Sequence, residues 1–415
     1  MRYLLLIADG SADKPVAALD HRTPLESLVL PGCNRLAGGT LGLARTVPQG
    51  IAPGSDTAIL TILGYDVRTC YTGRAALEAA GAGVTLAEGE TGLRVNLCAV
   101  EGPTFSEAVI RSHNGGNIEG EEAQALLDSL LADPGYRAAA LDAGFTLHTS
   151  QSFRQIGVLA DAPEGAFVLG EPHNLLGQPV ADHLPRGNCA DALRRIMEAS
   201  FRALADHPVN RSRAARGKLA ANCLWPWAAG SAMILPSFPE RYGHSGPVIS
   251  AVPLMKGIAR LAGLPAPDVA GATGDIDTNY EGKVKALLEG LSAGADFGVL
   301  HVEAPDECSH AKDLVGKCEA IRRIDARVVR PLLEALPKVD PDFRILLLSD
   351  HLTLLETGQH DGAPVPFALY DSRHPARPDA RKPRFDESHA AHGYFVADGA
   401  RLMGLLFDRQ DRHGD

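Results

Sequence analysis

The chain contains short, continuous apolar runs of the kind that form buried parallel strands. Three of these runs stop at an acidic residue: residues 4–8 precede Asp9, residues 297–305 precede Asp306, and residues 344–349 precede Asp350. In an open α/β sheet, ligands bind beyond the carboxyl ends of the strands. The pattern therefore predicts three strands of one sheet that bring three carboxylates to the same edge.

Apolar residues at helical spacing lie between the predicted strands. The longest such segment, residues 317–336, has Ile321, Ile324, Val328 and Leu332 on one face. This alternation of strand and helix runs through both ends of the chain. It is typical of an α/β domain built on a mainly parallel sheet.

The middle of the chain has a different texture, in which strand signals are mixed with helices at residues 121–131 and 190–205. We therefore predict a discontinuous α/β core, residues 1–94 and 217–415, that is interrupted by an inserted smaller α+β cap domain, residues 95–216. Active sites between a core and a cap are common, because closure of the cap excludes water.

Length and composition limit the classes of function. At 415 residues, with 45% hydrophobic residues, the chain is long enough for two domains. The net charge of -11 argues against a nucleic acid as the main partner.

Seven cysteines without a C-x-x-C pair favour reduced thiols over a disulfide framework. The first apolar run is too short for a secretion signal and no stretch approaches a membrane span, so we expect a cytoplasmic protein with no membrane partner. The pattern leaves the oligomeric state open.

Histidines accompany the strand-end acids. His310 lies one helical turn beyond Asp306, His351 directly follows Asp350, and His360 lies in a loop further on. A lone Asp at a strand end usually caps a helix or forms a turn. A joint set of carboxylates and imidazoles suits Mn²⁺, Zn²⁺ or Fe better than Ca²⁺. The set therefore predicts a divalent-metal site that holds two ions.

Ser55 is the candidate nucleophile, at the predicted start of an apolar helix over residues 55–63. A serine in this position can simply cap the helix. The same position offers positive potential and free amide groups to an anionic phosphoryl group. A coordinated metal would also lower the pKa of the hydroxyl and produce an alkoxide near neutrality. Beside a metal cluster, we expect Ser55 to be the attacking group.

Basic residues form the third group of candidates. Arg213 and Lys218 belong to a dense cationic run, residues 207–218, for which a solvated surface is the usual explanation. Arg94 and Arg154 each interrupt a strand-like segment, where an unpaired charge would be costly. Arginine is the expected residue for binding phosphate or carboxylate. All four residues are candidate contacts to an anionic substrate.

The same segments resemble the archaeal-type, cofactor-independent phosphoglycerate mutases of the alkaline phosphatase superfamily, over nearly the whole chain. The matching stretches are residues 45–56, 64–66 and 71–74, parts of 207–222 and 271–283, and residues 301–307. Stretches of this length and specificity identify the chain as a member of that family.

The resemblance implies an alkaline-phosphatase-like, three-layer core and a cap that grips glycerate. One ion would be held by Asp9, Ser55, Asp350 and His351, and the other by Asp306, His310 and His360. We expect Mn²⁺, with Zn²⁺, Co²⁺ or Mg²⁺ as alternatives. Ser55 would attack the phosphoryl group of 3-phosphoglycerate and become phosphoserine, Lys256 would stabilise the charge, and Arg94, Arg154 and Arg213 would hold the substrate. Glycerate would then take the phosphoryl group back on its other hydroxyl, without 2,3-bisphosphoglycerate.

Departures from the family pattern leave the choice of acceptor open. Asn117 and Gln155 stand where relatives carry His, and Gln359 is unusual before His360. A phosphotransferase or phosphatase acting on another small hydroxy compound, such as a proposed homoserine kinase, is therefore an alternative. A non-catalytic metal- or metabolite-binding protein is a third interpretation, against which the complete ligand set argues.

Overall fold

The computed structural model describes residues 1–162, 167–187, 189–374 and 384–408. The chain divides into two compact units, one made of residues 1–71 and 234–415 and the other of residues 72–233. Among the described residues, no helix combines the length and the apolar character needed to cross a bilayer.

The first unit is built on a seven-stranded sheet. In spatial order its strands are Val248–Ile249, Phe297–Val302, Arg2–Ala8, Phe343–Leu348, Val365–Asp371, Thr40–Ala44 and Tyr394–Val396. Neighbouring strands are parallel except where Val365–Asp371 pairs with its two neighbours. The predicted α/β class with a mainly parallel sheet is therefore confirmed.

The helices of the first unit pack on this sheet or on one another and bury apolar side chains. They are Pro24–Ser27, Pro31–Ala37, Ser55–Ile62, Val67–Cys70, Phe238–Tyr242, Pro253–Leu261, Tyr280–Ser292, Ala304–His310, Leu314–Ile324, Arg330–Val339, Glu387–Ala390 and Leu402–Leu406. The predicted long helix near residue 325 forms as two helices joined by a π-helical turn, Asp325–Val329. Its predicted apolar face is buried, from Ile321 to Leu332. Burial of each such side chain stabilises the fold by about 1.5–3 kcal/mol.

Register explains why the three central strands end together. Ala8 pairs with Val302, and Ile7 pairs with Leu348, in a parallel arrangement. The chain segments that follow these strands therefore leave the sheet at the same edge. A short antiparallel hairpin, Leu352–Leu354 with Gln359–Asp361, follows the strand Phe343–Leu348 and carries His360.

The second unit is an antiparallel α+β structure. Its central strand, Thr91–Glu101, pairs with Cys223–Ser231 and Arg154–Leu159, and Phe145–His148 adds to the edge. Val109–Ser112 pairs with the far end of the central strand, and a two-stranded ribbon joins Phe167–Val168 to Arg186–Gly187. The helices of this unit are Arg74–Gly81, Gly120–Ala132, Pro134–Ala143, Ala190–Leu204 and Pro208–Ala215.

The predicted domain boundaries at residues 95 and 216 need correction. Thr91 pairs with Ser231 and Cys98 pairs with Cys223, so the strand Cys223–Ser231 is part of the second unit's sheet. The helix Arg74–Gly81 packs on the same two strands. The strand Cys223–Ser231 falls in the predicted core because its pairing partner, Thr91–Glu101, lies far away along the chain.

Candidate metal centre and nucleophile

The three strand-end acids come together at one edge of the first unit's sheet. Asp9 directly follows the strand Arg2–Ala8, and Asp350 follows Phe343–Leu348 after one residue. Asp306 lies in the first turn of the helix Ala304–His310, which begins just beyond Phe297–Val302. All three carboxylates are buried. The register of the parallel strands thus produces the convergence that the sequence predicts.

One ligand group contains Asp306, His310 and His360. The Nε2 atoms of the two histidines lie 3.0 Å apart, and they lie 3.2 Å (His310) and 3.5 Å (His360) from carboxylate oxygens of Asp306. The Nδ1 atom of His310 lies 2.8 Å from the Gly358 carbonyl, which can only accept a hydrogen bond. His310 therefore carries its Nδ1 proton toward that carbonyl and can present Nε2 as a ligand atom.

Protonation in this group follows from the same contacts. The hydrogen bond to Asp306 raises the pKa of His310 to about 9. Burial by itself would raise the pKa of Asp306, but the hydrogen bonds from His310 and His360 hold it well below its usual range. Asp306 is therefore a carboxylate, which is the form that binds a cation.

A second ligand group surrounds Ser55. The Ser55 Oγ atom lies 3.2 Å from His351 Nε2 and 3.5 Å from Asp9 Oδ2. His351 Nε2 lies 3.3 Å from Asp350 Oδ2 and 3.8 Å from Asp9 Oδ1. Ligand atoms of Asp9, Asp306 and His351 all lie within 4.8 Å of one another. Asp306 is thus close to both groups.

The donor set fits a cation. Asp9 Oδ1 and Asp350 Oδ2 are buried, and neither has a hydrogen-bond partner in the described parts of the chain. Burial, together with repulsion from Asp350 and Asp306, raises the pKa of Asp9 well above its usual range. Leaving such groups uncompensated is costly, whereas a divalent ion would satisfy both carboxylates. Buried oxygens and imidazole nitrogens at these distances are suitable ligands for two divalent ions.

Ser55 does not cap its helix. The helix Ser55–Ile62 has Gly54 at its N-cap position, and no side chain makes a capping hydrogen bond there. The Ser55 hydroxyl instead points toward His351 and Asp9. The simple capping interpretation is therefore wrong, and the hydroxyl is placed among the candidate ligands.

His301 is a supporting residue that the sequence interpretation missed. Its Nε2 atom lies 2.9 Å from Asp9 Oδ2, and its Nδ1 atom lies 3.0 Å from the Ser250 hydroxyl. Burial lowers the pKa of His301 to about 4, so the ring is neutral and donates its Nε2 proton to Asp9. A histidine inside an otherwise apolar strand was the available signal.

Two lysines that are candidates for charge stabilisation, Lys256 and Lys283, have different surroundings. Lys256, the predicted charge-stabilising residue, forms an ion pair with the exposed Asp268. Lys283, which was not predicted, is buried, and its Nζ atom lies 3.4 Å from the His301 carbonyl and 3.5 Å from the Thr273 carbonyl. Burial lowers the pKa of Lys283 to about 8, although Glu303 opposes this shift.

Arg213 in the second unit is a structural residue, which corrects its predicted role as a substrate contact. Its guanidinium lies 2.6 Å from a Glu122 carboxylate oxygen, and its other N–H groups donate to the carbonyls of Gly115, Gly116 and Leu219 at 2.7, 3.0 and 2.9 Å. The side chain is only 1% exposed. Four of its five N–H donors are used by Glu122 and these carbonyls, and burial keeps the guanidinium away from a substrate.

Arg94 and Arg154 lie in a cationic region of the second unit. The Arg94 guanidinium stacks on Trp227, 3.9 Å from the ring centroid, and its Nε atom lies 2.8 Å from Glu78. Burial lowers the pKa of Arg94 to about 10, an effect that Glu78 opposes and Arg154 strengthens. Arg154 is exposed. The region can attract an anion.

Three further predicted positions differ in exposure. Lys218 is exposed, in the turn that follows the helix Pro208–Ala215. Asn117 is also exposed and has a positive φ of 56°. Gln155, by contrast, is buried, and it accepts a hydrogen bond from the Ser150 backbone at 2.6 Å. Gln155 therefore orders the loop that leads to Arg154 and does not face outward itself.

Comparisons with known proteins agree with this geometry. A family model described as 2,3-bisphosphoglycerate-independent phosphoglycerate mutase matches residues 37–210. A protein named probable 2,3-bisphosphoglycerate-independent phosphoglycerate mutase from Geobacter sulfurreducens is 41% identical over 99% of this chain and 100% of its own length. A mutase of the same name from Methanothrix thermoacetophila is 43% identical over 98% of this chain and 99% of its own length.

Solved structures show the same likeness in three dimensions. A protein from Pyrococcus horikoshii, 30% identical, covers 100% of this chain and 99% of its own with a TM-score of 0.78. The cofactor-independent phosphoglycerate mutase from Thermoplasma acidophilum, 25% identical, covers 98% of this chain and 99% of its own with a TM-score of 0.63.

Proposed function

Because the chain belongs to the 2,3-bisphosphoglycerate-independent phosphoglycerate mutase family, we propose that it interconverts 3-phosphoglycerate and 2-phosphoglycerate without added 2,3-bisphosphoglycerate. The observation that carries the proposal is the position of the Ser55 hydroxyl, 3.2 Å from His351 Nε2 and 3.5 Å from Asp9 Oδ2. A serine held in this way can accept a phosphoryl group and return it to a different hydroxyl of the same substrate.

We assign two divalent ions to the two ligand groups. Asp306, His310 and His360 would hold one, and Asp9, Ser55, Asp350 and His351 would hold the other. When bound, the ions would neutralise the transferring phosphoryl group and lower the pKa of the Ser55 hydroxyl. Mn²⁺ is our proposed metal because the ligands mix carboxylate oxygens with imidazole nitrogens.

In the proposed reaction, the phosphoryl group moves from glycerate to Ser55 and then back to the other hydroxyl of glycerate. Ser55 Oγ forms a bond to phosphorus while the bond from phosphorus to the glycerate O3 atom breaks, and O3 takes up a proton. Glycerate reorients, its O2 atom loses a proton and attacks the phosphoserine, and the Ser55 oxygen is released. With His351 Nε2 committed to the ion, Asp9 Oδ2, 3.5 Å from Ser55 Oγ, is the acceptor we assign to the Ser55 proton among the described residues. Such transfers depend mainly on positioning and on electrostatic stabilisation.

We propose that the remaining charged candidates act on the substrate anions. Arg94 and Arg154 would hold the carboxylate or phosphate of the small phosphorylated acid, which is the role for which arginine geometry is suited. Lys218 stays a prediction for the same role. For charge stabilisation near Ser55, Lys283 now stands beside Lys256 as a candidate, because its ammonium is buried next to the His301 backbone.

A second candidate function is supported by one observation. Asn117, which replaces the family's histidine, is exposed, and its Oδ1 atom accepts a hydrogen bond from Asn114 Nδ2 at 2.5 Å. The amide nitrogen that it offers a substrate can only donate, whereas a neutral imidazole can also accept. A phosphate monoester would first transfer its phosphoryl group to Ser55 Oγ and leave as its protonated alcohol. The phosphoserine would then pass the group to another small hydroxyl compound, such as homoserine, or to water, and the acceptor hydroxyl would lose its proton.

We also propose a cytoplasmic location. All seven cysteines are free thiols, as expected in a reducing compartment.

The test is a mutase assay on protein stripped with EDTA and then restored with Mn²⁺. We expect turnover of 3-phosphoglycerate by the restored protein, little by the stripped protein, and none by Ser55→Ala. Ser292→Ala, an exposed serine at the end of another helix, is the matched control. A folded, Mn²⁺-loaded protein that turns over homoserine phosphate but not 3-phosphoglycerate would replace the mutase with the second candidate.

A further inference from the structure

We infer that Thr353 is a positioning residue that joins the two metal-ligand groups through its hydroxyl. The inference rests on the proposed two-metal site. Thr353 Oγ1 lies 2.6 Å from Asp306 Oδ1 and 3.2 Å from His351 Nδ1. Asp306 belongs to the first ligand group and His351 to the second, so a single hydroxyl contacts both.

The direction of each hydrogen bond follows from the chemistry of the partners. The Asp306 carboxylate can only accept, so the Thr353 hydroxyl donates its one proton to Asp306. The Oγ1 lone pair is then left to accept the proton on His351 Nδ1. This arrangement fixes the tautomer of His351 with Nε2 unprotonated, and Nε2 is the atom that lies 3.2 Å from Ser55 Oγ. The hydroxyl therefore prepares one ligand atom in each group.

Thr353 is itself held in place by the surrounding backbone and by a buried ion pair. Its carbonyl accepts a hydrogen bond from Lys317 Nζ at 2.7 Å, and the same ammonium lies 2.7 Å from Asp13 Oδ2. Thr353, Lys317 and Asp13 are all buried. The ion pair thus ties the segment after Asp9 to the hairpin that carries Thr353.

Gly10 leaves the room that the threonine needs. A Cβ atom at residue 10 would lie 2.7 Å from Thr353 Oγ1 and 2.7 Å from the Asp306 Cα atom, and the φ angle of Gly10 is +60°. Any larger residue would push the hydroxyl away from Asp306. The Thr353 side chain is therefore closely packed beside Asp306, and the Thr353 backbone is held in place by its own hydrogen bond.

Loss of the hydroxyl should weaken both ligand groups together. The His351 ring would lose the hydroxyl acceptor and keep only its hydrogen bond to the Leu352 backbone, and the Asp306 carboxylate would lose its short hydrogen bond. Removing a residue that orients metal ligands typically lowers metal affinity by roughly 10–100-fold. Because Thr353 contacts both groups, we expect a loss at both ions.

The test compares Thr353→Val, which keeps the shape but removes the hydroxyl, with Thr353→Ser, which keeps the hydroxyl. Each EDTA-stripped protein is titrated with Mn²⁺ by calorimetry, and the Mn²⁺-induced rise in Tm is measured beside it. Thr61→Val is the matched control, since the Thr61 hydroxyl is buried and, among the described residues, donates to the Thr57 carbonyl of its own helix alone.

We expect Thr353→Val to bind both ions roughly 10–100-fold more weakly, while Thr353→Ser and Thr61→Val stay within about threefold of wild type. Unchanged binding of two ions by Thr353→Val overturns the inference, as does an equal loss in Thr353→Ser. If metal-free Thr353→Val does not fold by circular dichroism, Thr353→Ala replaces it, and weak Mn²⁺ binding by a folded Thr353→Ser still overturns the inference.

The readout separates this inference from the proposed function. If the wild-type protein binds two Mn²⁺ ions but turns over no 3-phosphoglycerate, the mutase proposal is wrong. The role of Thr353 is then judged from the Mn²⁺ affinities alone. An active wild type with wild-type metal affinity in Thr353→Val removes the Thr353 role alone.

Discussion

The imidazole of His301 donates from Nε2 to Asp9 Oδ2 over 2.9 Å, in a fully buried contact. His301 does not face Ser55 directly. It orients a carboxylate that does, and the Ser250 hydroxyl on its other side keeps the ring in one position. The candidate nucleophile therefore depends on a chain of buried hydrogen bonds that begins two strands away.

Replacing His301 with Leu should lower Mn²⁺ affinity by roughly 10–100-fold, because Asp9 would lose the group that orients it. His301→Gln, which retains an N–H donor, should lose less. Calorimetric titration of the EDTA-stripped variants with Mn²⁺ measures both affinities. Equal affinity in His301→Leu and wild type would show that Asp9 is positioned without His301.

Replacing Arg213 with Met should destabilise the protein by about 2–4 kcal/mol, because three backbone carbonyls and Glu122 would lose a buried partner. Arg216→Met is the matched control. Arg216 pairs with the same Glu122 but is exposed, so its loss should cost less than about 1 kcal/mol. Denaturant unfolding measures the two free energies. A stable Arg213→Met protein with a raised KM would restore the substrate role that the structure argues against.

Replacing Arg154 with Met should raise the KM for 3-phosphoglycerate by roughly 10–100-fold with a smaller change in kcat, because a charge-assisted hydrogen bond contributes about 1.5–3 kcal/mol. Arg137→Met, which removes an exposed arginine from a helix of the same unit, should leave KM unchanged. Steady-state kinetics at a fixed Mn²⁺ concentration measures KM and kcat for both variants. If both variants behave like wild type, Arg154 is not a substrate contact.

Metal binding should depend on pH through His310. The pKa of His310 is raised to about 9 in the metal-free protein, so the ring is protonated at neutral pH and must release a proton before it can bind a metal. Mn²⁺ affinity should therefore rise as pH increases from 6 toward 9, by up to about tenfold per unit. Calorimetry in buffers of different ionisation enthalpy counts the released protons. A flat affinity without proton release would contradict the assignment.

The sequence predicted the convergence of the strand-end acids because its signals are local. Asp9 and Asp350 each come within two residues of the end of an apolar strand, and parallel register then brings such strand ends together without further information. The relation between Asp306 and His310 is also local, since one helical turn separates them.

The sequence could not show which basic residues are free. Arg213 is neutralised by Glu122 and by carbonyls near residue 115, all about 90 or more positions away in the chain. The predicted domain boundary is wrong for the same reason. The strand Cys223–Ser231 is part of the second unit because it pairs with Thr91–Glu101. The histidine inside an apolar strand marks His301 as unusual, but its role in orienting Asp9 follows only from its contacts.

The most direct test of the central claim is to detect the phosphoryl group on Ser55. Mn²⁺-loaded protein is mixed with 3-phosphoglycerate, quenched in acid within milliseconds to seconds, digested, and analysed by mass spectrometry. We predict phosphoserine at Ser55 in wild type and none in Ser55→Ala. Turnover of 3-phosphoglycerate to 2-phosphoglycerate by Ser55→Ala at the wild-type rate, with no phosphoserine at Ser55 in wild type, would contradict the account.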